Sequence, residues 1–217
     1  MKVSVIKKLM MAALTASLVM APAMGVFAST TAGGSTATTV EDTVAASTSG
    51  EVTTVAEIPS ASSVAGVAST VTGAYLATSV SGTAITTGVA AIKEGYGLTG
   101  SEKPYAKFAN LDAKKSPLAK QAIDLAAASQ GAVVGPMLNV ELGKMSGGKY
   151  SLLPADGPAI RLSFGIPKSF AQDGKTYAVV VVRPGGVVSI LTDIDTNPNT
   201  VTFDTTGGAG AYAIIKY

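Results

Sequence analysis

Cysteine, histidine and tryptophan do not occur in this chain of 217 residues. Without cysteine there is no disulfide framework, no thiol nucleophile and no thiolate-held metal or iron–sulfur centre. Without histidine the commonest general base and the commonest transition-metal ligand are missing, which excludes Ser-His-Asp and Cys-His catalysis. Aromatics are few, 7 Tyr and 5 Phe, and charged residues make up 14%. A nucleic-acid surface needs basic stripes and stacking rings in larger supply, so no nucleic-acid partner is expected.

What is present begins with a targeting pattern. Lys2, Lys7 and Lys8 are followed by an apolar run from Leu9 to Met20, broken only by Thr15 and Ser17. Ala21-Pro22-Ala23 and Val26-Phe27-Ala28 then place small residues where a signal peptidase cuts. The expectation is a signal peptide over residues 1–28, cleaved after Ala28, and a secreted, extracellular chain. The run is shorter than the roughly 20 residues of a membrane span, so no stable span is expected after cleavage. Losing those three lysines from the 16 basic residues leaves 13 against 14 acidic ones, a net of −1. The positive charge of the full chain therefore belongs to export and not to a binding surface.

Residues 29–63 are mostly Ser, Thr, Ala, Gly and Val. They hold Glu41, Asp42, Glu51 and Glu57, no basic residue and no aromatic. Such small side chains bury too little apolar area to offset the entropy of ordering the backbone, so the segment reads as a disordered linker. Its Ser and Thr density also suits O-glycosylation.

Residues 64–217 are enough for one β-rich globular domain with its own core. Ala74–Val80 and Thr83–Thr87 read as a hairpin about Ser81-Gly82. Ser116-Pro117 starts a helix that Gly131 closes, with Leu118, Ala122, Leu125 and Ala126 on one side and Lys120 and Asp124 on the other. A shorter helix fits Val89–Glu94. Leu138, Val140 and Leu142 alternate with polar residues, as do Ile160, Leu162 and Phe164. The unbroken run Tyr177–Val182 marks a strand covered on both faces. Pro184-Gly185-Gly186 turns into Val187–Leu191, and Val201–Phe203 and Ala211–Tyr217 add two more strands. Seven or eight strands are expected in all. The fold class expected is mostly β, a β-sandwich with one amphipathic helix, preceded by the signal peptide and linker.

The stretch from Lys175 to Leu191 resembles the last strands of β-sandwich modules that end exported surface proteins of Gram-positive bacteria. In those modules a strand finishing in Arg turns tightly into one finishing in Leu-Pro-Asp, followed by an Asp- and Asn-rich loop and a closing strand. The matching positions are Arg183, Leu191, Asp193, Asp195, Asn197, Asn199, Tyr212-Ala213-Ile214 and Tyr217. The chain departs from the pattern at Pro184-Gly185-Gly186, at Thr192 and at Gly208–Ala211. The resemblance implies an extracellular building block and supplies no catalytic residue.

Gly143–Lys149 has the spacing of a phosphate-binding loop, but Tyr150 stands where Ser or Thr would hold Mg²⁺, so a glycine hairpin turn is the reading. Ser146 and Lys149 have the spacing of serine acyltransferases but lack the further motifs that chemistry needs. Asp193, Asp195, Asn197 and Asn199, with Asp204 at the twelfth position, form the candidate metal site, for a structural Ca²⁺. Pro198 stands where an EF-hand needs Gly, and a β-turn also accounts for Asn197-Pro198-Asn199. Glu141, Asp156, Asp173 and Asp124 are carboxylates from which a glycosidase pair would be drawn, with no spacing to single one out. Tyr75, Tyr96, Tyr105 and Tyr150 are candidates for stacking on sugar rings or for half-buried core. These features lead to the expectation of a non-enzymatic surface or matrix module acting by binding or self-assembly. Cell wall, glycan or another extracellular protein would be its partner. The alternative is a secreted hydrolase acting on carbohydrate or peptide through carboxylates alone.

Overall fold

The computed structural model describes residues 62–217. The signal peptide at 1–28, and the linker at 29–63 except for its last two residues, lie outside the described residues. The described chain is mostly β, with two helices and three sheets. In chain order the elements are β1 (Ser63–Val64), β2 (Val67–Ala68), β3 (Gly73–Leu76), β4 (Thr83–Ile85), α1 (Val89–Gly95), β5 (Lys103–Asn110) and α2 (Pro117–Ser129). Then follow β6 (Val133–Ser146), β7 (Lys149–Leu152), β8 (Ile160–Gly165), β9 (Tyr177–Val182), β10 (Val188–Thr192), β11 (Thr200–Thr205) and β12 (Gly208–Lys216).

The large sheet runs β10-β9-β12-β6-β5-β3, with β7 continuing alongside β6 beyond the end of β12. Its pairings are antiparallel except β3 with β5. The small sheet is β11-β8-β4. Alternation places Phe108, Leu138, Val140, Leu142, Val179, Val181, Tyr212 and Ile214 on one face of the large sheet. There they meet Ile85, Leu162, Phe164, Val201 and Phe203 of the small sheet in one core. Phe164 sits at its centre, edge-on to Phe203 at 5.0 Å and to Phe108 and Tyr212 at 6.2 Å each. The two sheets thus pack face to face in a sandwich-like arrangement.

The opposite face of the large sheet carries α2. Ala178, Val180, Ala211, Ala213 and Ile215 form a second core with Ile123 and Ala127 of the helix. Every residue of β9 is buried, because the strand lies between the two cores, as its unbroken apolar run requires. The helix starts and stops where Pro117 and Gly131 indicate, but its buried face differs from the expectation. Leu118 is 79% exposed and Leu125 66%, whereas Ala119, Ala122, Ile123, Ala126 and Ala127 meet the sheet. Small side chains let the helix backbone approach a sheet face of Ala and Val, and Ile123 fills what space remains. Two leucines on that side would hold the helix away.

The hairpin expected from Ala74 to Thr87 is also corrected. β3 pairs in parallel with β5, Tyr75 opposite Phe108 with the rings stacked at 5.2 Å, while β4 pairs with β8 in the small sheet. Ser81-Gly82 is the crossing between sheets. The Ser81 N–H donates to Gly165 O at 3.0 Å and the Gly165 N–H to Gly82 O at 2.9 Å. Gly82 has φ +103°, and a Cβ there would lie 2.2 Å from Ser63 O, so only glycine fits. Among the described residues the strands number twelve and the helices two, α1 included. The turns at Gly147-Gly148 and Pro184-Gly185-Gly186 do form hairpins, β6–β7 and β9–β10. β6 spans 14 residues and absorbs Pro136 at a register shift against β12, where a missing ladder N–H costs least.

Candidate functional site

The helix α2 covers only part of the outer face of the large sheet. Beyond it one register row crosses five strands: Leu76, Ala109, Asn139, Ala211 and Val182. The next row is Ala74, Lys107, Glu141 and Ala209. Four of these positions are alanine, so the floor is low, and Ser116 just before α2, Ala119 of α2 and Pro184 of the β9–β10 turn rise beside it. The result is an open trough of about 510 Å³.

One end of the trough is polar and aromatic. Lys107 Nζ lies 3.3 Å from the Glu141 carboxylate and 3.7 Å from the centroid of the Tyr150 ring. Tyr105 meets Tyr150 edge-on at 5.9 Å. Tyr150 reaches this place because Gly143 leaves room: a Cβ there would lie 2.5 Å from the ring. The Lys107–Glu141 pair is about two-fifths exposed, so it is worth roughly 0.2–1 kcal/mol. Its larger effect is to place both charges beside the ring. Burial, and then the Glu141 carboxylate, hold the Tyr150 phenol well above its ordinary value. Glu141 approaches that hydroxyl without hydrogen-bond geometry, leaving it unpartnered among the described residues. Of the other tyrosines, Tyr75 is core, and Tyr96 donates to Pro158 O and accepts the Gly207 N–H. Tyr75, being buried, offers no face for stacking.

The structure brings Asp193, Asp195, Asn197 and Asn199 into one loop and uses them to fold it. Asp193 Oδ1 accepts the Asp195 N–H at 3.2 Å, Asp195 Oδ1 the Asn197 N–H at 2.7 Å, and Asn197 Oδ1 the Asn199 N–H at 3.0 Å. Three successive Asx turns result, which is why oxygen side chains recur at every second position. Asp193 Oδ1 also takes the Thr202 N–H at 2.9 Å, and Ile194 N–H donates to Thr202 O at 2.8 Å. Asp195 Oδ2 accepts the hydroxyls of Thr200 and Thr202. The loop thereby closes the outer edge of β11. Burial raises the Asp193 pKa and the Asp195 charge adds to the rise, against the lowering effect of the donated N–H groups. Asp204 is not in this loop: Arg161 takes it in a fork at 2.8 and 2.9 Å, holding its carboxyl below the ordinary value. Among the described residues no three acidic side chains gather as metal ligands do.

Arg183 is a site that residue pattern alone did not assign a role. Its guanidinium donates to Gly207 O at 2.9 Å, Ala209 O at 3.2 Å, Thr205 Oγ1 at 2.8 Å and Thr206 O at 3.0 Å. It does so without an acidic partner among the described residues. The group holds the β11–β12 turn in shape and forms one wall of the trough. Only the position of Arg at the end of an apolar strand hinted at it.

Compared with known proteins, the chain matches no family, no curated protein and no solved structure.

Proposed function

We propose that the chain is an exported, non-enzymatic module that works by contact, with the outer-face trough as its binding surface and a cell-wall or other glycan polymer as its partner. The observation that carries this reading is the trough itself. It is open along its length, low-floored, and lined by an amide and paired charges with a tyrosine ring behind them, a combination that suits an extended polar chain with apolar faces. Extracellular location, and a sandwich of the kind that ends Gram-positive surface proteins, rest on the signal-peptide pattern and on the Arg183–Tyr217 resemblance.

The hydrolase alternative needs two carboxylates facing one cleft. Glu141 is tied to Lys107, Glu102 to Lys144, Asp124 to Lys120 and Asp204 to Arg161. Asp193, whose pKa is raised, stands beside Asp195, but both hold turns of a surface loop. Asp156 and Asp173, held by no ion pair among the described residues, are exposed in the β7–β8 and β8–β9 loops and line no part of the trough, so the contact reading is the better supported.

The test is sedimentation of the full chain with insoluble polysaccharides, purified cell walls and insoluble mucin, each with Ca²⁺ and with chelator. Co-sedimentation with one of these is expected, and Ala109→Phe, which fills the trough floor, abolishes it. Loss with chelator would show that the contact depends on Ca²⁺. No binding to any pellet, or binding indifferent to Ala109→Phe, overturns the proposal.

A further inference from the structure

The chain closes the edges of its sheets unequally. On the small sheet, β11 has its outward Thr202 N–H and C=O taken by Asp193 and Ile194. At the other edge, β4 has its outward Ile85 C=O taken by the Thr70 N–H at 2.9 Å and its N–H by Ser69 Oγ at 3.1 Å. On the large sheet, β3 and β7 present four residues each, and β7 begins with Lys149. β10 differs from all of these.

Arg183 N–H donates to Val187 O at 2.8 Å, in register with the β9–β10 ladder. Alternation then turns the backbone groups of Ser189 and Leu191 toward β9, and those of Val188, Ile190 and Thr192 away from the sheet. Among the described residues nothing takes them. Natural edges are protected by charge, proline, a bulge or a cover. Val188–Thr192 has no charge and no proline, and its ladder with β9 is regular along all five residues.

We propose that β10 pairs with β10 of a second copy, antiparallel about a two-fold axis at Ile190, joining two large sheets into one. In that register Ile190 faces Ile190 and Val188 faces Thr192, so β-branched side chains oppose one another at every outward position. Each pair exchanges two backbone hydrogen bonds. The pattern is its own complement, which is what a two-fold interface requires. The flanking charges do not oppose it: Arg183 is engaged by the β11–β12 turn and Asp193 by its own loop. An axis normal to the sheet keeps both troughs on one face. If the trough binds a polymer as proposed above, the dimer would hold it at two points; the pairing itself does not depend on that reading.

The test is sedimentation velocity on the full chain, with residues 1–28 as the host leaves them, from roughly 1 to 100 µM, where an interface of this small size is expected to associate. The mass is expected to rise to twice that of the chain. Val188→Pro removes an N–H that points outward and keeps every bond to β9, so it should be monomeric with an unchanged far-ultraviolet spectrum. Thr192→Lys, at an exposed position, should weaken the dimer at least about tenfold and serves as the second variant if Val188→Pro fails to fold. A wild-type chain that stays monomeric throughout overturns the proposal. So does a dimer that Thr192→Lys and a folded Val188→Pro leave intact. Neither result bears on polymer binding, which the pellets read separately.

Discussion

Replacing Arg183 by alanine removes the group that holds the β11–β12 turn from within. Five acceptors lose a charged donor: the carbonyls of Gly207, Thr206 and Ala209 and the hydroxyls of Thr205 and Thr206. A hydrogen bond to a charged group contributes about 1.5–3 kcal/mol when measured alone. The five share one guanidinium and cannot be summed, and water reaches part of the turn once the side chain is gone. A loss of about 2–4 kcal/mol is expected, which for a domain of this size lowers the thermal midpoint by about 5–15 °C. Arg183→Lys keeps the charge and the stem but not the fork, and should lose about half as much. Thermal and urea unfolding followed by circular dichroism measure both. Because no carboxylate among the described residues is involved, the deficit should persist in about 1 M salt, where exposed ion pairs are screened. A shift below about 2 °C for Arg183→Ala, or a lysine variant as stable as the parent, would refute the reasoning.

Helix α2 gives a paired comparison: Ile123→Ala should cost about 2–4 kcal/mol in urea unfolding because it empties a fully buried site, while Leu125→Ala should stay within about 0.5 kcal/mol. Equal effects at the two positions would mean that the buried face is misassigned. For Asp193, a pKa raised in the folded state means that the folded chain binds the proton more tightly than the unfolded one. Stability should therefore fall as pH rises from the ordinary value of 3.8 through the folded value. Asp193→Asn keeps an oxygen for the Asp195 and Thr202 amides and removes the titration, so its unfolding free energy should lose that slope; an unchanged slope counts against the assignment.

Legibility in the sequence followed the range over which each signal acts. Local signals served well: Ser116-Pro117 and Gly131 bounded α2, Gly147-Gly148 and Pro184-Gly185-Gly186 marked hairpins, and the Tyr177–Val182 run marked the strand between two cores. Partner choice was harder to read. Ser81-Gly82 has the chemistry of a two-residue turn, yet the ring of Tyr75 finds Phe108 and Ile85 finds the small sheet, contacts that no local pattern encodes. On α2, leucine outranks alanine in hydrophobicity, but the space above a sheet selects for size. The trough was hidden for a related reason: it is made by four alanines in three strands brought into two rows by register, and each reads singly as an ordinary strand residue. Alternating Asp and Asn residues were visible as a pattern; backbone amides within reach show what they do in the fold.

Strand β9 serves both cores at once, and alternate residues answer to different sides. Val179 and Val181 belong to the layer shared with the small sheet, and Ala178 and Val180 to the layer under α2. Neither layer can loosen without disturbing a strand the other depends on, so the described chain should lose its structure in one step. Amide exchange along these six residues would show it as a single shared opening free energy, the same for odd and even positions. One short strand is in this sense the hinge pin of the whole cooperative unit.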